Sequence, residues 1–411
     1  MKILFVDASG FPVPAVQGSA FATHTENIIR VYQELRSKKE VKANDRIGNA
    51  VECDSITVVS GYDEKAIQEA KDFNFAKFLY FIPKEQKKSR LTILIYSMEL
   101  KLFGHELCHT VNIKRAYNEV KDKDFDVVVI MGCDPLQFYP FTKRYGRNAM
   151  YVQLGGIIDG NCYLKKMYRK VICVSGYVKN RLIENGVMNE DDAHTILSAI
   201  NTEEFASRIS EDEKTELREK WGIKDGEFVV GFWGRVAPVK GVIELIDAFE
   251  MSNIRGSKLL IIGSANFGLI NQTDYEAQVE QRVRGNDKII LTGFQHRSAL
   301  AKLLQIVDVA VLPSMWEEPS GNVVPEALAS GLPLIITDSG GMVEYVDEQC
   351  ALIIKRDDNL ISNMSEAISG LYRDEDRRKR MSNAAYERAN KYDIKGYYKE
   401  MINLFRSDKN E

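Results

Sequence analysis

The chain is poor in the features that mark secreted, membrane-spanning or metal-built proteins. Its six cysteines, at positions 53, 108, 133, 162, 173 and 350, are scattered and form no C-x-x-C pair. That pattern gives no disulfide framework and fits reduced thiols in a cytoplasmic protein. No apolar run approaches the roughly 20 residues of a membrane span. The start, Met1-Lys2-Ile3-Leu4-Phe5-Val6-Asp7, reads as a strand and lacks a signal-peptide pattern. There is no G-x-x-x-x-G-K-[ST] phosphate loop, no internal repeat and no low-complexity tract.

What is present describes a soluble α/β protein. With 411 residues, 45% hydrophobic and 28% charged, the chain exceeds one ordinary core, and two domains are expected. The net charge of -4 is uneven: residues 1–200 carry a small excess of Lys and Arg, the remainder an excess of Asp and Glu. A basic first half suits an anionic partner, although chance asymmetry on solvated faces accounts for it equally well. Nothing points to nucleic acid.

Apolar strands alternate with helical stretches throughout. Strands are predicted at 2–7, 55–60, 77–82, 126–131, 149–153, 170–174 and 194–198, then at 227–233, 258–263, 287–292, 308–312, 333–337 and 351–354. This is the βαβ rhythm of parallel sheets covered on both faces, and two runs of about six strands suggest two doubly wound Rossmann-like domains facing across a cleft. The expected division is 1–200 for a first domain and 201–385 for a second. A C-terminal helical segment, 386–411, could return to the first. The polar stretch 37–52 reads as an exposed loop.

Three segments carry chemistry. The first runs from Glu317 through Pro319, Gly321, Asn322, Glu326 and Gly331 to Pro333. It sets Glu318 and Glu326 on either side of a glycine loop and a helix start, with Asn322 placed to cap the helix 323–330. Carboxylates accept hydrogen bonds from vicinal hydroxyls, and loop amides attract phosphate. A diphosphate carrying a polyol at each end suits both, although two exposed glutamates at this spacing are common. The second segment, Gly234-Arg235-Val236-Ala237-Pro238-Val239-Lys240-Gly241, puts two cations at the carboxyl end of a strand. They fit a diphosphate clamp or two solvated surface cations. The third, Phe11 to Ala20, places Gly18 and Ser19 before a helix, as an anion-binding or merely tight loop.

In this order the segments resemble the family-4 retaining glycosyltransferases of the GT-B fold, over nearly the whole chain. The resemblance is nearest to the spore-coat and surface-polysaccharide branch, through Pro12-Val13-Pro14-Ala15-Val16-Gln17-Gly18 and Trp316-Glu317-Glu318-Pro319. Similar stretches are Ile172–Ser175, Ile289–Phe294, Val309–Ser314 and Asp338–Glu344. The resemblance implies that Arg235 and Lys240 hold the donor diphosphate, Glu326 the donor ribose and Glu318 the transferred sugar. It puts the amides of Gly321, Asn322 and Val323 at the sugar and phosphate. Phe294 with Gln295 lies at the nucleobase, and Gly18 beside the diphosphate. It implies a nucleotide sugar, with UDP the expected nucleotide, as substrate rather than cofactor. No metal is expected, and the acceptor is a glycan or lipid-linked. Two positions depart from the family pattern. Gly155 stands where many relatives carry a histidine near the donor sugar, and Ser320 where they often carry an aromatic residue.

Other motifs compete. His105-Glu106-Leu107-Cys108-His109 matches the H-E-x-x-H zinc-protease signature without a third ligand at a fitting place. Asp122-Lys123-Asp124 has the D-x-D form of a metal motif but precedes a strand, which reads as a solvated turn. Lys84, Lys87, Lys88 and Arg90 lead into the apolar run 91–96, which fits a buried helix or a peripheral contact with an anionic membrane. The sequence therefore predicts a cytoplasmic, at most membrane-associated, glycosyltransferase. A nucleotide-sugar epimerase of the same fold, a zinc protease and a glycan-binding module are the alternatives.

Overall fold

Strands of three to seven residues, most of them rich in Val, Ile, Leu and Phe, cannot leave a face in water. They pair side by side and are covered by helices above and below. The computed structural model describes residues 1–17, 19–41, 55–84, 98, 110–132, 134–158, 164–265 and 272–410, and among these the strands form two parallel sheets. The first contains β1 (Lys2–Asp7), β2 (Ser55–Gly61), β3 (Ala76–Phe81), β4 (Val127–Met131), β5 (Met150–Leu154), β6 (Lys170–Cys173) and β7 (Ala193–Thr195), in the order β3-β2-β1-β4-β5-β6-β7. The second contains β8 (Phe228–Trp233), β9 (Ser257–Ile262), β10 (Ile289–Gly293), β11 (Val309–Leu312), β12 (Leu334–Thr337) and β13 (Ala351–Ile354), in the order β10-β9-β8-β11-β12-β13.

The chain divides into two compact units, Met1–Ser198 with Ile394–Glu411, and Ala199–Asp393. Both are Rossmann-like α/β layers, the fold expected from the strand rhythm. In the first unit, Leu4, Val6, Val128, Ile130 and Val152 build the core on one side of the sheet. The final helix, Ile394–Asn410, packs on the helix Ala20–Val41. Its buried Asp408 takes a hydrogen bond from the Tyr151 hydroxyl at 2.8 Å and an ion pair from Lys170 at 2.8 Å. In the second unit, Val230, Phe232, Leu259, Ile261, Val309 and Val311 do the same for their sheet. The Thr202 hydroxyl donates to Asp393 at 2.6 Å and ties that unit's end to its start.

Each sheet changes direction at its centre, between β1 and β4 and between β8 and β11. At such a point the connections leave toward opposite faces and open a crevice beyond the carboxyl ends of the strands. In the second unit the segment that follows β8 carries Arg235 and Lys240, and the segment that follows β11 carries Glu317 and Glu318. No helix among the described residues is long and apolar enough to cross a membrane.

Candidate active site

Two loops meet at the carboxyl ends of β8 and β11. The turn Pro238–Lys240 ends at Gly241, which adopts φ +67 and lies so near β11 that a Cβ would fall 2.1 Å from the Pro313 carbonyl oxygen. The Met315 amide donates to the Val239 carbonyl at 2.9 Å and locks the loops together. Only glycine permits both the positive φ and that approach. The result is contact between side chains 78 positions apart: the Lys240 ammonium donates to Glu318 Oε1. The Ser314 hydroxyl donates to the same oxygen at 2.5 Å. Glu318 is 4% exposed, so its charge is held by these two donors rather than by water.

The backbone of Glu318 is clamped from both ends. Its amide donates to Ser339 Oγ at 3.1 Å, and its carbonyl accepts from the Gly341 amide at 2.7 Å. Gly340, at φ +43, makes room: a Cβ there would lie 2.3 Å from the Glu318 carbonyl oxygen. The adjacent Glu317 turns the other way, accepting from the Gly340 amide at 2.8 Å and from Arg356, which also binds Asp338 at 3.1 Å. Of two consecutive glutamates, one is committed to the loop and the other to Lys240. Trp316 is exposed, with the Lys240 ammonium 6.0 Å from its ring centre.

Glu326 lies in the first turns of the helix Val323–Ala329. Its Oε2 accepts from the Trp233 indole N–H, at the end of β8, at 2.8 Å. Burial pushes its pKa above the usual carboxylate value. The Arg297 charge and the Trp233 hydrogen bond pull it back, and the Glu204 charge adds to the rise. Arg297 is itself paired with Glu204 at 2.6 Å and stacks on Phe205, 4.9 Å from the ring centre. The expected cap at Asn322 is not made. Asn322 is helical (φ −54, ψ −23) and its side chain forms no capping bond. A capping side chain needs an extended backbone to reach back to the second or third amide, and here the third helical position is Pro325, which has none.

Among the described residues, none of the other predicted residues makes a side-chain hydrogen bond to Lys240, Glu318 or Glu326. Arg235 follows β8 and is exposed, with no ion pair among the described residues. Gly321 packs on Met342 beside the helix start that carries Asn322 and Val323. Phe294 follows β10 and makes an edge contact with His296 at 5.3 Å. Ser320 and Tyr345 share a buried hydroxyl contact at 2.6 Å, so this small residue is filled in by the tyrosine. Sequence reasoning did not single out Trp233, Arg297, Glu204, Ser314 or Ser339. In the sequence Trp233 reads only as strand, and the one signal for Arg297 is its position three residues after Phe294.

In the first unit, Gly18 lies outside the described residues, as do His105–His109, Lys87, Lys88, Arg90 and the run 91–96. Gly155 follows β5, and a Cβ there would fall 2.5 Å from Phe21 Cζ. The Phe21 ring occupies the space that a side chain at 155 would need. Asp122-Lys123-Asp124 forms the turn before β4, where Asp124 pairs with Arg144 at 2.7 Å. No group of three or more His, Cys, Asp or Glu among the described residues is placed to hold a metal.

Residues 213–388 match the family model Glycosyl transferases group 1. The match falls within the second unit, and the matched segment contains Arg235, Lys240, Phe294, Glu318 and Glu326. Over 392 residues the chain is 28% identical to the putative glycosyltransferase YtcC of Bacillus subtilis, covering 94% of this chain and 86% of that one. Over 205 residues it is 28% identical to the UDP-Gal:alpha-D-GlcNAc-diphosphoundecaprenol alpha-1,3-galactosyltransferase of Escherichia coli, 49% of each chain. Among solved structures, Anabaena Alr3699/HepE in complex with UDP and glucose superposes with a TM-score of 0.72 at 18% identity, over 99% of this chain and 100% of that one. The fold neighbours are GT-B glycosyltransferases, as the sequence led us to expect.

Proposed function

We propose that the protein is a retaining, metal-independent glycosyltransferase of family 4. It moves a sugar from a UDP-sugar to a surface-glycan or lipid-linked acceptor on the cytoplasmic side of a membrane. The observation that carries this reading is the placement of Lys240, Glu318 and Glu326 at the carboxyl ends of the two central strands of one sheet. There a cation and two carboxylates suit a diphosphate flanked by two polyols. The match to the group 1 domain supports the reaction class, and the E. coli relative's name supports a UDP-sugar donor and a lipid-diphosphate acceptor.

In this reaction the bond from the anomeric carbon to the diphosphate oxygen breaks and a bond to the acceptor oxygen forms. Positive charge builds on the sugar and negative charge on the leaving UDP. Fixed donors must meet that negative charge in the transition state. Lys240, Arg235 and the amides of Gly321, Asn322 and Val323 fill that role. The acceptor's proton passes to a leaving-group oxygen on the same face, which retains configuration without a protein nucleophile. Glu318 accepts hydroxyls of the transferred sugar, and Glu326 those of the ribose.

A screen of nucleotide sugars for release of nucleoside diphosphate tests this. Release that depends on an added glycan or lipid-linked acceptor, unaffected by EDTA, is the expected result. UDP at a hundred times its Kd should stabilise the fold by about 2.7 kcal/mol through mass action. Interconversion of a nucleotide sugar without acceptor would instead show an epimerase. Inactivation by chelation would overturn metal independence.

A further inference from the structure

Glu326 is held by residues that no motif singled out. Its carboxylate has one hydrogen-bond partner among the described residues, the Trp233 indole. An indole can only donate, so Trp233 commits Oε2 as an acceptor whatever else is bound. Trp233 is itself 2% exposed in β8 and has no freedom to swing away. The helix Val323–Ala329 packs against the helices Thr202–Ala206 and Glu375–Ala389, against β11 and against the turn Gly340–Tyr345. From all these and from the helix Arg297–Leu304, the charged groups that act on Glu326 are Arg297 and Glu204. Arg297 is anchored by Glu204 through Nε and by the Phe205 ring, and its Nη2 is buried with no partner. Its charge is therefore fixed near Glu326 without being neutralised by it.

We propose that Trp233 and Arg297 are positioning residues for Glu326. The indole takes Oε2, the anchored guanidinium supplies the compensating charge, and Oε1 is left as the acceptor for a ribose hydroxyl of the donor. The inference rests on the reading of Glu326 as the ribose carboxylate and adds what orients and charges it. A charged acceptor binds a hydroxyl more strongly than a neutral one. Selection for ribose over deoxyribose then depends on groups that never touch the nucleotide.

The experiment measures Kd for UDP and for 2′-deoxy-UDP across pH 5–9 and uses their ratio, in which titration of the phosphates cancels. In the wild-type protein the preference for UDP should fall as pH falls and Glu326 takes up its proton. W233F and R297M should move the midpoint of that fall upward by about half to one pH unit. R297K, which keeps the charge, should sit near wild type, and E204Q should move the midpoint down. Arg297 is partly exposed, so R297M keeps the test available if W233F fails to fold. A preference that titrates in wild type, vanishes in E326Q and keeps its midpoint in W233F and R297M would overturn the proposal and leave the ribose reading standing. An unchanged preference in E326Q would overturn the ribose reading itself.

Discussion

The Lys240 ammonium rests on the Glu318 carboxylate, joining the loop after β8 to the loop after β11. In this arrangement the diphosphate-binding cation and the sugar-binding carboxylate of the proposed site neutralise each other. A donor nucleotide must take Lys240 away from Glu318, at least in part, and Glu318 is then freed for sugar hydroxyls.

The pair predicts opposite outcomes for its two members. E318Q leaves Lys240 without its counter-charge, so UDP should bind severalfold more tightly while transfer collapses. K240A should lose UDP affinity on the order of 10- to 100-fold, the worth of one charge-assisted hydrogen bond. It should also lower the melting temperature of the free protein, because a buried carboxylate loses its cation. Calorimetric titration with UDP and a turnover assay on both variants decide the matter. Weaker UDP binding in E318Q would contradict it.

Glu326 carries a stability cost that depends on pH. Its pKa in the fold is raised above the usual 4.5, chiefly by burial. The folded state therefore binds more protons than the unfolded state just above pH 4.5, and stability falls as pH rises through that window. E326Q removes the cost, so the free variant should melt at a higher temperature than wild type at pH 7.5. The gain should vanish below about pH 4.5. Melting curves at both pH values test the sign, and a lower melting temperature for E326Q at pH 7.5 would refute it.

Gly340 holds Glu318 in place through its missing side chain. G340A must strain a positive φ and push a methyl against the Glu318 carbonyl oxygen. A loss of about 1–3 kcal/mol in stability and a larger loss in transfer rate are expected. Denaturant unfolding and turnover of the same sample measure both. Unchanged turnover would separate Glu318 from the chemistry.

The Phe21–Gly155 contact predicts a coupled pair. G155H should destabilise the first unit by about 1–3 kcal/mol, the usual range for overpacking. F21A alone should cost a comparable amount by leaving a cavity. The double variant should cost less than the two single variants together, because each change makes room for the other. Additive losses would show that the two sites do not share that space.

The strands were legible because most are short apolar runs bounded by turn residues, and all but β7, which ends three residues early at Thr195, fall within two residues of their predicted ends. The loops that flank the candidate site were legible through their glycines and prolines. The Asn322 cap was misjudged because residue type suggests a cap while the backbone angles decide it. Gly18 and the H-E-x-x-H motif lie outside the described residues. Pairings were not legible at all. Trp233 and Glu326 are 93 positions apart, and nothing in either local pattern marks the other.

By itself the sequence determined the elements and the residues with charge to offer, since periodicity and composition act locally along the chain. Only the tertiary structure decided which charges meet. Parallel sheets bring the ends of β8 and β11 together across long crossovers, and close packing at Gly241 and Gly340 then selects Glu318 over Glu317 as the partner of Lys240.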